Sequence, residues 1–229
     1  MPLHLVRSDR SPAFPDRCVP EADGLAALGG RLTPELVLEA YQKGLFPWTG
    51  APPIPWFSPD PRLVLFPEAV HVSRSLAKVI RRGQLQVRYD TRFAAVMDLC
   101  ARHPRSRQKG TWITPNMVET YGQLHSLGYA HSVETYAGGA LVGGLYGVAL
   151  GRAFFGESMV STVADASKVA LVDLCRRLAA RGFQLVDCQQ VTAHMLSMGA
   201  LPLPRSEYLA RLAEAVNAPD AWAGAETSS

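Results

Sequence analysis

The chain has 229 residues, 48% of them hydrophobic, and a formal charge of +3. That suffices for one large domain, or a large domain with a small one attached, and excludes a disordered or fibrous protein. No stretch approaches the ~18 consecutive apolar residues of a membrane span, and Met1 to Cys18 lacks a basic start followed by an apolar run, so a cytoplasmic protein with no membrane partner is expected. The charge is uneven. Between His71 and Gly110 stand ten Lys/Arg against two acids, net +8, while the remainder is net −5; such a split points to a polyanionic partner.

In chain order, four prolines among the first twenty residues predict an extended arm. Thr33 is placed to cap a helix with Pro34 in its first turn, and Gly44 to end it. From Pro47 to Pro61 six prolines interleave with Trp48, Trp56 and Phe57, which forbids a long helix and favours stiff turns. A helix from about Ser73 to Arg82 turns Leu76, Val79 and Ile80 inward and gathers Arg74, Lys78, Arg81 and Arg82 into a basic outer stripe. Leu85, Val87 and Tyr89 alternate as in a strand, and Phe93, Val96, Met97 and Cys100 repeat as in a helix. A basic loop from His103 to Gly110, with Arg105, Arg107 and Lys109, leads to Trp112 and to a helix from Thr114-Pro115 to Gly128.

Three strands then follow as a meander, Tyr129 to Tyr136, Ala140 to Leu150 and Ala153 to Ser161, with Gly138-Gly139 and Gly151-Arg152 at the turns. A long helix spans about Ala166 to Arg181 and stops at Gly182. Phe183 to Gln189 predicts a short central strand, with helices near Thr192 to Met198 and Ser206 to Val216 and a frayed tail to Ser229. The sum is an α/β (α+β) fold with a mixed sheet, in an order similar to that of the acetyltransferase superfamily. Cys18, Cys100, Cys175 and Cys188 show no C-x-x-C spacing and read as reduced thiols, with no metal site.

Glu157 follows apolar Phe154 and Phe155, so its carboxylate faces a poorly hydrated place where it must be paired or protonated; a buried ion pair with Arg152 or Lys168 is the plainer alternative. Asp187 and Gln189 lie two apart on a strand and therefore on one face, where a carboxylate beside an amide can orient an amine and take its proton. Capping loop amides is the rival role for both. Trp48, Trp56 and Trp112 are candidates for stacking on a nucleobase, with Trp56 better suited to the core. His194 reads as structural. No G-x-S-x-G, no activated Ser or Cys and no P-loop occur, which disfavours an acyl-enzyme and consumption of a nucleoside triphosphate.

Gly24-Leu25-Ala26-Ala27-Leu28-Gly29-Gly30, the run Ala40 to Trp48, Pro55 to Arg62, Gly110 to Thr114, Gly143 to Gly147, Gly156-Glu157-Ser158-Met159, Ala166-Ser167-Lys168 and Asp187-Cys188-Gln189 resemble the leucyl/phenylalanyl-tRNA-protein transferases, in order, from about Gly24 to Tyr208. The resemblance implies a cytoplasmic enzyme of the N-end rule pathway. It would move Leu or Phe, and Met less well, from Leu-tRNA or Phe-tRNA to proteins beginning with Lys or Arg, as a monomer without cofactor or metal. It implies a small N-terminal domain over residues 1–62 packed on an acetyltransferase-like catalytic domain over 63–229. Trp48 and Trp112 would hold the terminal adenosine; Leu145, Phe154, Leu171, Leu174, Leu178 and Val186 would line the side-chain pocket; Glu157, Asp187 and Gln189 would be the reaction groups. Arg74, Lys78, Arg81 and Arg82 suit the tRNA backbone.

The chain departs from the family pattern at Arg31, Leu145, Phe155, Leu174 and Leu178, which touches donor preference more than chemistry. Three rival readings remain at this stage. They are an acyl-CoA N-acetyltransferase, disfavoured because Ser161 to Asp165 has no glycine to cradle pyrophosphate; a non-catalytic RNA-binding module; and an aminoacyl-tRNA ligase acting on cell-wall precursors.

Overall fold

A computed structural model describes residues 3–7, 13–15, 20–103 and 111–222. Arg105, Arg107 and Lys109 of the basic loop lie outside the described residues. Two sheets are present among them. The smaller joins β1 (His4–Val6), β2 (Leu25–Gly29), β3 (Phe46–Pro47) and β4 (Pro55–Phe57) in the order β1-β2-β4-β3. The larger joins β5 (Arg62–Leu65), β6 (Gln86–Tyr89), β7 (Ala130–Ala137), β8 (Ala140–Leu150), β9 (Ala153–Ser161), β10 (Leu185–Asp187) and β11 (Leu201–Leu203) in the order β11-β5-β10-β9-β8-β7-β6. The fold is mixed α/β.

Each helix begins where local chemistry allows. In α1 (Pro34–Gln42) the Thr33 hydroxyl accepts from the Leu36 amide. Ser73 caps α2 (Arg74–Arg82) and Thr114 caps α4 (Pro115–Ser126) in the same manner. Between these last two lies α3 (Phe93–Arg102), whose Phe93, Val96, Met97 and Cys100 are all buried. Gly44, Gly128 and Gly182 follow α1, α4 and α5 (Ala166–Ala180) with positive φ, as the expected stops require.

Pairs in the large sheet are antiparallel except β9 with β10, which run parallel. A parallel pair needs a crossover, and α5 supplies it. The consequence is local: β10 stops at Asp187, opposite Phe155, while β9 continues to Ser161. The sheet therefore splits beside Gly156 and Glu157, at the level where a cleft opens.

Strand alternation sends neighbours to opposite faces. Tyr146 and Phe155 join a cluster with Tyr41, Trp56, Met97 and Tyr121, whereas Leu145 and Phe154 join another with Leu171, Leu174, Leu178 and Val186. The first binds the small sheet and α1 to the large sheet; the second seats α5 on its other face.

Three expectations change. The amino-terminal arm contains β1, because the edge of β2 offers parallel partners at Ala27 to Gly29. The expected strand Phe183 to Gln189 is limited to Leu185–Asp187. The tail after α7 (Arg205–Val216) is packed as far as Trp222, which is 5% exposed.

Candidate active site

The cleft at the split in the sheet has a volume of about 860 Å³. Trp48, Trp112, Leu145, Phe154, Leu171, Leu174, Val186, Glu157 and Gln189 all line it. Trp48 is 38% exposed and rests on Phe57 with ring centroids 4.9 Å apart. Thr49 donates to the Trp112 carbonyl oxygen at 3.4 Å, which ties the proline-rich loop to the start of α4. Trp56, by contrast, is fully buried, edge-on to Phe14, and donates to the Gly29 carbonyl at 3.0 Å.

Leu178 is not in the lining. It sits one turn beyond Leu174 on α5, fully buried in the layer behind the cleft. Leu171 and Leu174 reach the cavity because they belong to the end of α5 nearer the split; the next turn passes beneath it. His194, expected to be structural, belongs to α6 (Ala193–Ser197) and lines the cleft, its pKa lowered by burial and by Lys168.

Glu157 occupies a β-bulge: Tyr146 pairs with Ser158 and Gly147 with Gly156, leaving Glu157 as the extra residue. Bulges re-aim side chains. Here the carboxyl meets neither Arg152, which is exposed, nor Lys168, whose ammonium pairs with Asp165 at 2.9 Å. Its Oε1 instead accepts from the Tyr41 hydroxyl at 2.6 Å and from Gln189 Nε2 at 3.2 Å, and its Oε2 accepts from the Tyr121 hydroxyl at 3.0 Å. The two hydroxyls are themselves 2.6 Å apart. Burial raises the Glu157 pKa to about 7, against the hydroxyl hydrogen bonds from Tyr41 and Tyr121 that lower it.

Proton counting agrees with that direction. Two hydroxyl protons cannot serve three oxygen–oxygen contacts, so an ionised Glu157 leaves one contact without a hydrogen. A neutral Glu157 closes the ring: Oε2 donates to Tyr121, Tyr121 to Tyr41, and Tyr41 to Oε1.

Asp187 and Gln189 do not share a face as strand alternation implies. Val186 and Cys188 line the cleft, Asp187 points away from it, and Gln189 leaves the strand with φ 61°, which swings its side chain back into the cavity. Asp187 is fully buried. Its Oδ1 accepts from Arg62 Nε and the Gln189 backbone amide, both at 2.8 Å, and its Oδ2 from Arg62 Nη2 at 2.6 Å and the Tyr208 hydroxyl at 2.9 Å. Arg62, also fully buried, donates to the Gly44 carbonyl at 3.1 Å and lies over the Phe46 and Tyr208 rings. Burial works against its charge, but the Asp187 carboxylate overrides that and holds it firmly protonated. Gln189 thus touches both acids, Asp187 through its backbone and Glu157 through its amide.

Sequence reasoning passed over Tyr41, Tyr121, Arg62 and Tyr208. A signal existed for the first: Tyr41 ends the inward stripe of α1 that contains Val37, and a tyrosine placed in a core needs a partner for its hydroxyl. No local pattern marks Arg62, which follows the prolines as an ordinary basic residue. Cys188 reaches the cleft too, and burial raises its thiol well above the ordinary range, which disfavours a thiolate nucleophile.

The four basic residues of α2, Arg74, Lys78, Arg81 and Arg82, are exposed as expected, with Leu76 buried beneath them. No helix among the described residues is long and apolar enough to cross a membrane.

Comparison with known proteins adds to this geometry. Residues 64–213 match the family model described as leucyl/phenylalanyl-tRNA protein transferase, and residues 30–60 match the N-terminal domain of that family. A curated leucyl/phenylalanyl-tRNA–protein transferase from Anaeromyxobacter sp. (strain K) is 54% identical over 218 residues, covering 95% of this chain and 94% of the relative. Proteins of the same name from Nitratidesulfovibrio vulgaris (strain DP4) and Azoarcus sp. (strain BH72) are 53% identical (96% of this chain, 94% of theirs) and 56% identical (88% and 86%). Among solved structures, a GCN5-related N-acetyltransferase from Kribbella flavida overlaps with a TM-score of 0.40 at 11% identity, covering 75% of this chain and 61% of that one. On the strength of the two family-model matches and these relatives, the chain belongs to the leucyl/phenylalanyl-tRNA protein transferase family of aminoacyltransferases.

Proposed function

We propose that this chain transfers Leu or Phe, and Met less well, from Leu-tRNA or Phe-tRNA to the N-terminal Lys or Arg of cytoplasmic proteins, forming a peptide bond that marks them for N-end rule degradation. One observation carries the reading: an apolar recess, two accessible tryptophans and the Glu157–Gln189 pair share a single cleft. Its volume suits one amino-acid side chain together with the nucleoside that bears it.

Aminoacyl-tRNA is already an activated ester, so the reaction is attack of an amine nitrogen on the carbonyl carbon, loss of the ribose oxygen, and transfer of one proton from nitrogen to that oxygen. Catalysis is then largely placement, which contributes up to ~7–11 kcal/mol in the best intramolecular cases. The attacking amine has a pKa of ~7.7–8.0, so a modest acceptor suffices.

In this reading Trp48 and Trp112 stack on the terminal adenosine, and the side chain enters between Leu145, Phe154, Leu171, Leu174 and Val186. Gln189 spends its Nε2 on Glu157 and therefore offers its amide oxygen to the amine's N–H. Asp187 is a positioning residue. With four donors on two oxygens and no access to the cleft, it fixes the turn at Gln189 and does not receive the proton itself. Glu157 holds the Gln189 amide and, neutral, is the acid closest to the reacting centre.

Labelled Leu-tRNA and Phe-tRNA, mixed separately with a protein beginning with Arg and followed by acid precipitation, test the activity; a protein beginning with Ser and a cell-wall peptide are the negative acceptors. No label in the Arg-initiated protein refutes the reading. The α2 stripe makes a second demand. Replacing Arg74, Lys78, Arg81 and Arg82 by Gln should flatten the log–log salt dependence of tRNA binding by up to ~3.6, at ~0.9 for each phosphate no longer neutralised, and an unchanged slope would move the tRNA elsewhere.

A further inference from the structure

Resting on the donor-pocket reading above, we infer that Trp222, delivered by the segment beyond α7, is a specificity-determining residue that sets the depth of the pocket by backing Phe154. Phe154 lines the cleft. Trp222 does not, but it stacks on Phe154 with centroids 5.7 Å apart and planes at 23°.

Trp222 has nowhere to retreat. It stacks on His131 at 3.9 Å, meets Phe183 and Tyr89 edge-on at 6.5 and 6.2 Å, and lies under the Arg177 guanidinium at 5.3 Å. The His131 ring is fixed in turn: Nδ1 lies 2.9 Å from Asp90 Oδ2, and Nε2 lies 3.0 Å from the Gly128 carbonyl oxygen. A close-packed stack of this kind transmits displacement instead of absorbing it. Any donor large enough to push Phe154 back must therefore move Trp222 and His131 as well.

The route of the tail is equally determined. The Arg152 amide donates to the Ala215 carbonyl at 2.9 Å, and the Ala221 amide to the Gly151 carbonyl at 3.3 Å, so the segment crosses the β8–β9 turn. A Cβ on Gly151 would lie 2.4 Å from the Ala215 oxygen and 2.8 Å from the Ala218 oxygen, and its φ is +57°. Only glycine permits that crossing. Trp222 donates its own amide to Asp220 at 3.0 Å, which sets the final turn toward Phe154.

The test compares kcat/KM for Leu-, Phe- and Trp-charged tRNA in the full-length wild type, Trp222→Ala and Trp222→Phe, with melting temperatures recorded for each. Trp222→Ala should raise the Phe-to-Leu ratio by roughly tenfold, the scale on which apolar pockets discriminate, and make Trp a measurable donor. Trp222→Phe keeps a ring behind Phe154 but a shorter one, and should shift the same ratio toward Phe by a smaller factor, roughly threefold. Met97→Ala, in the other core cluster and on a helix that contributes nothing to the cleft, should lower the melting temperature without changing the ratio. A folded Trp222→Ala with the wild-type ratio overturns the inference. If that variant does not fold, Trp222→Phe decides: a ratio shifted toward Phe supports the inference, and an unchanged ratio with a reduced melting temperature overturns it. Wild-type protein that transfers neither Leu nor Phe overturns the donor reading itself, a result separable from the others.

Discussion

Asp187 and Glu157 are both buried acids, each one hydrogen bond from Gln189, and they resolve burial in opposite ways. Around Asp187 the donors include a full positive charge delivered as a two-pronged fork by Arg62, with Tyr208 and a backbone amide completing the cage. Around Glu157 the donors are all neutral: two phenols and a carboxamide. Loss of water is common to both. Only the first recovers it, because a charge-assisted pair in a low-dielectric interior outweighs what hydroxyls can offer. The contrast teaches that depth alone does not decide ionisation here; the charge of the neighbour does. It also separates the two in place, with an ion-paired acid behind the wall of the cleft and an acid whose pKa burial raises to about 7 within it.

The largest expected effect comes from breaking the ion pair. Arg62→Met leaves Asp187 buried without its counter-charge, which should cost about 3–5 kcal/mol in urea unfolding. Adding Asp187→Leu should restore much of that stability, since an apolar pair of similar size tolerates the same space. A single variant within about 1 kcal/mol of wild type would mean that the cage does not hold the charge.

Next in size is Glu157→Gln. The amide can occupy the same ring, donating from Nε2 to Tyr121 and accepting from Tyr41 and Gln189, so the fold should persist while the titrating group is lost. The sign with pH follows from the raised pKa. Between 4.5 and about 7 the folded protein keeps a proton on Glu157 that the unfolded chain has released. Wild-type stability from this group is therefore full below 4.5, falls as pH rises toward 7, and is flat above. Glu157→Gln has no such slope and should exceed wild type by about 3 kcal/mol at pH 8 and match it near pH 4. Parallel stability curves for the two proteins would show that Glu157 is charged throughout.

Much of this frame was legible in the sequence. The helix cap at Thr33, the helix starts at Ser73 and Thr114, the glycine stops and the three-strand meander follow from local rules, and the structure keeps them. Period 3.6 made the buried stripe of α5 legible, but the apolar wall itself came from the family resemblance, which included Leu178, one turn past the point at which the cleft ends. The relation of Asp187 to Gln189 was misread for a physical reason: alternation holds only while the backbone stays extended, and Gln189 departs into the left-handed region. Glu157 escaped correct placement through its bulge, a feature set by pairing with β8 and not by its own neighbours. The partners that distinguish the two acids lie 36 to 125 residues away in sequence, at Tyr41, Tyr121 and Arg62. No local window contains them.

The smallest effect is the most discriminating about the ring itself. Tyr121→Phe and Tyr41→Phe each remove one hydroxyl from a buried set, at about 1–2 kcal/mol apiece. Tyr41 makes the shorter contact with Glu157, 2.6 against 3.0 Å, and shares Oε1 with Gln189, so its loss should also loosen the amide. Both hydroxyls lower the Glu157 pKa against burial, so either variant should carry it further above 7 and extend the falling limb of the stability curve to higher pH. If the ring acts as a unit, the two losses will not add. The double variant should be less destabilised than the sum by at least about 0.5 kcal/mol, because the first deletion already breaks the Tyr41–Tyr121 hydrogen bond that the second would remove. Strict additivity would reduce the ring to two independent hydrogen bonds.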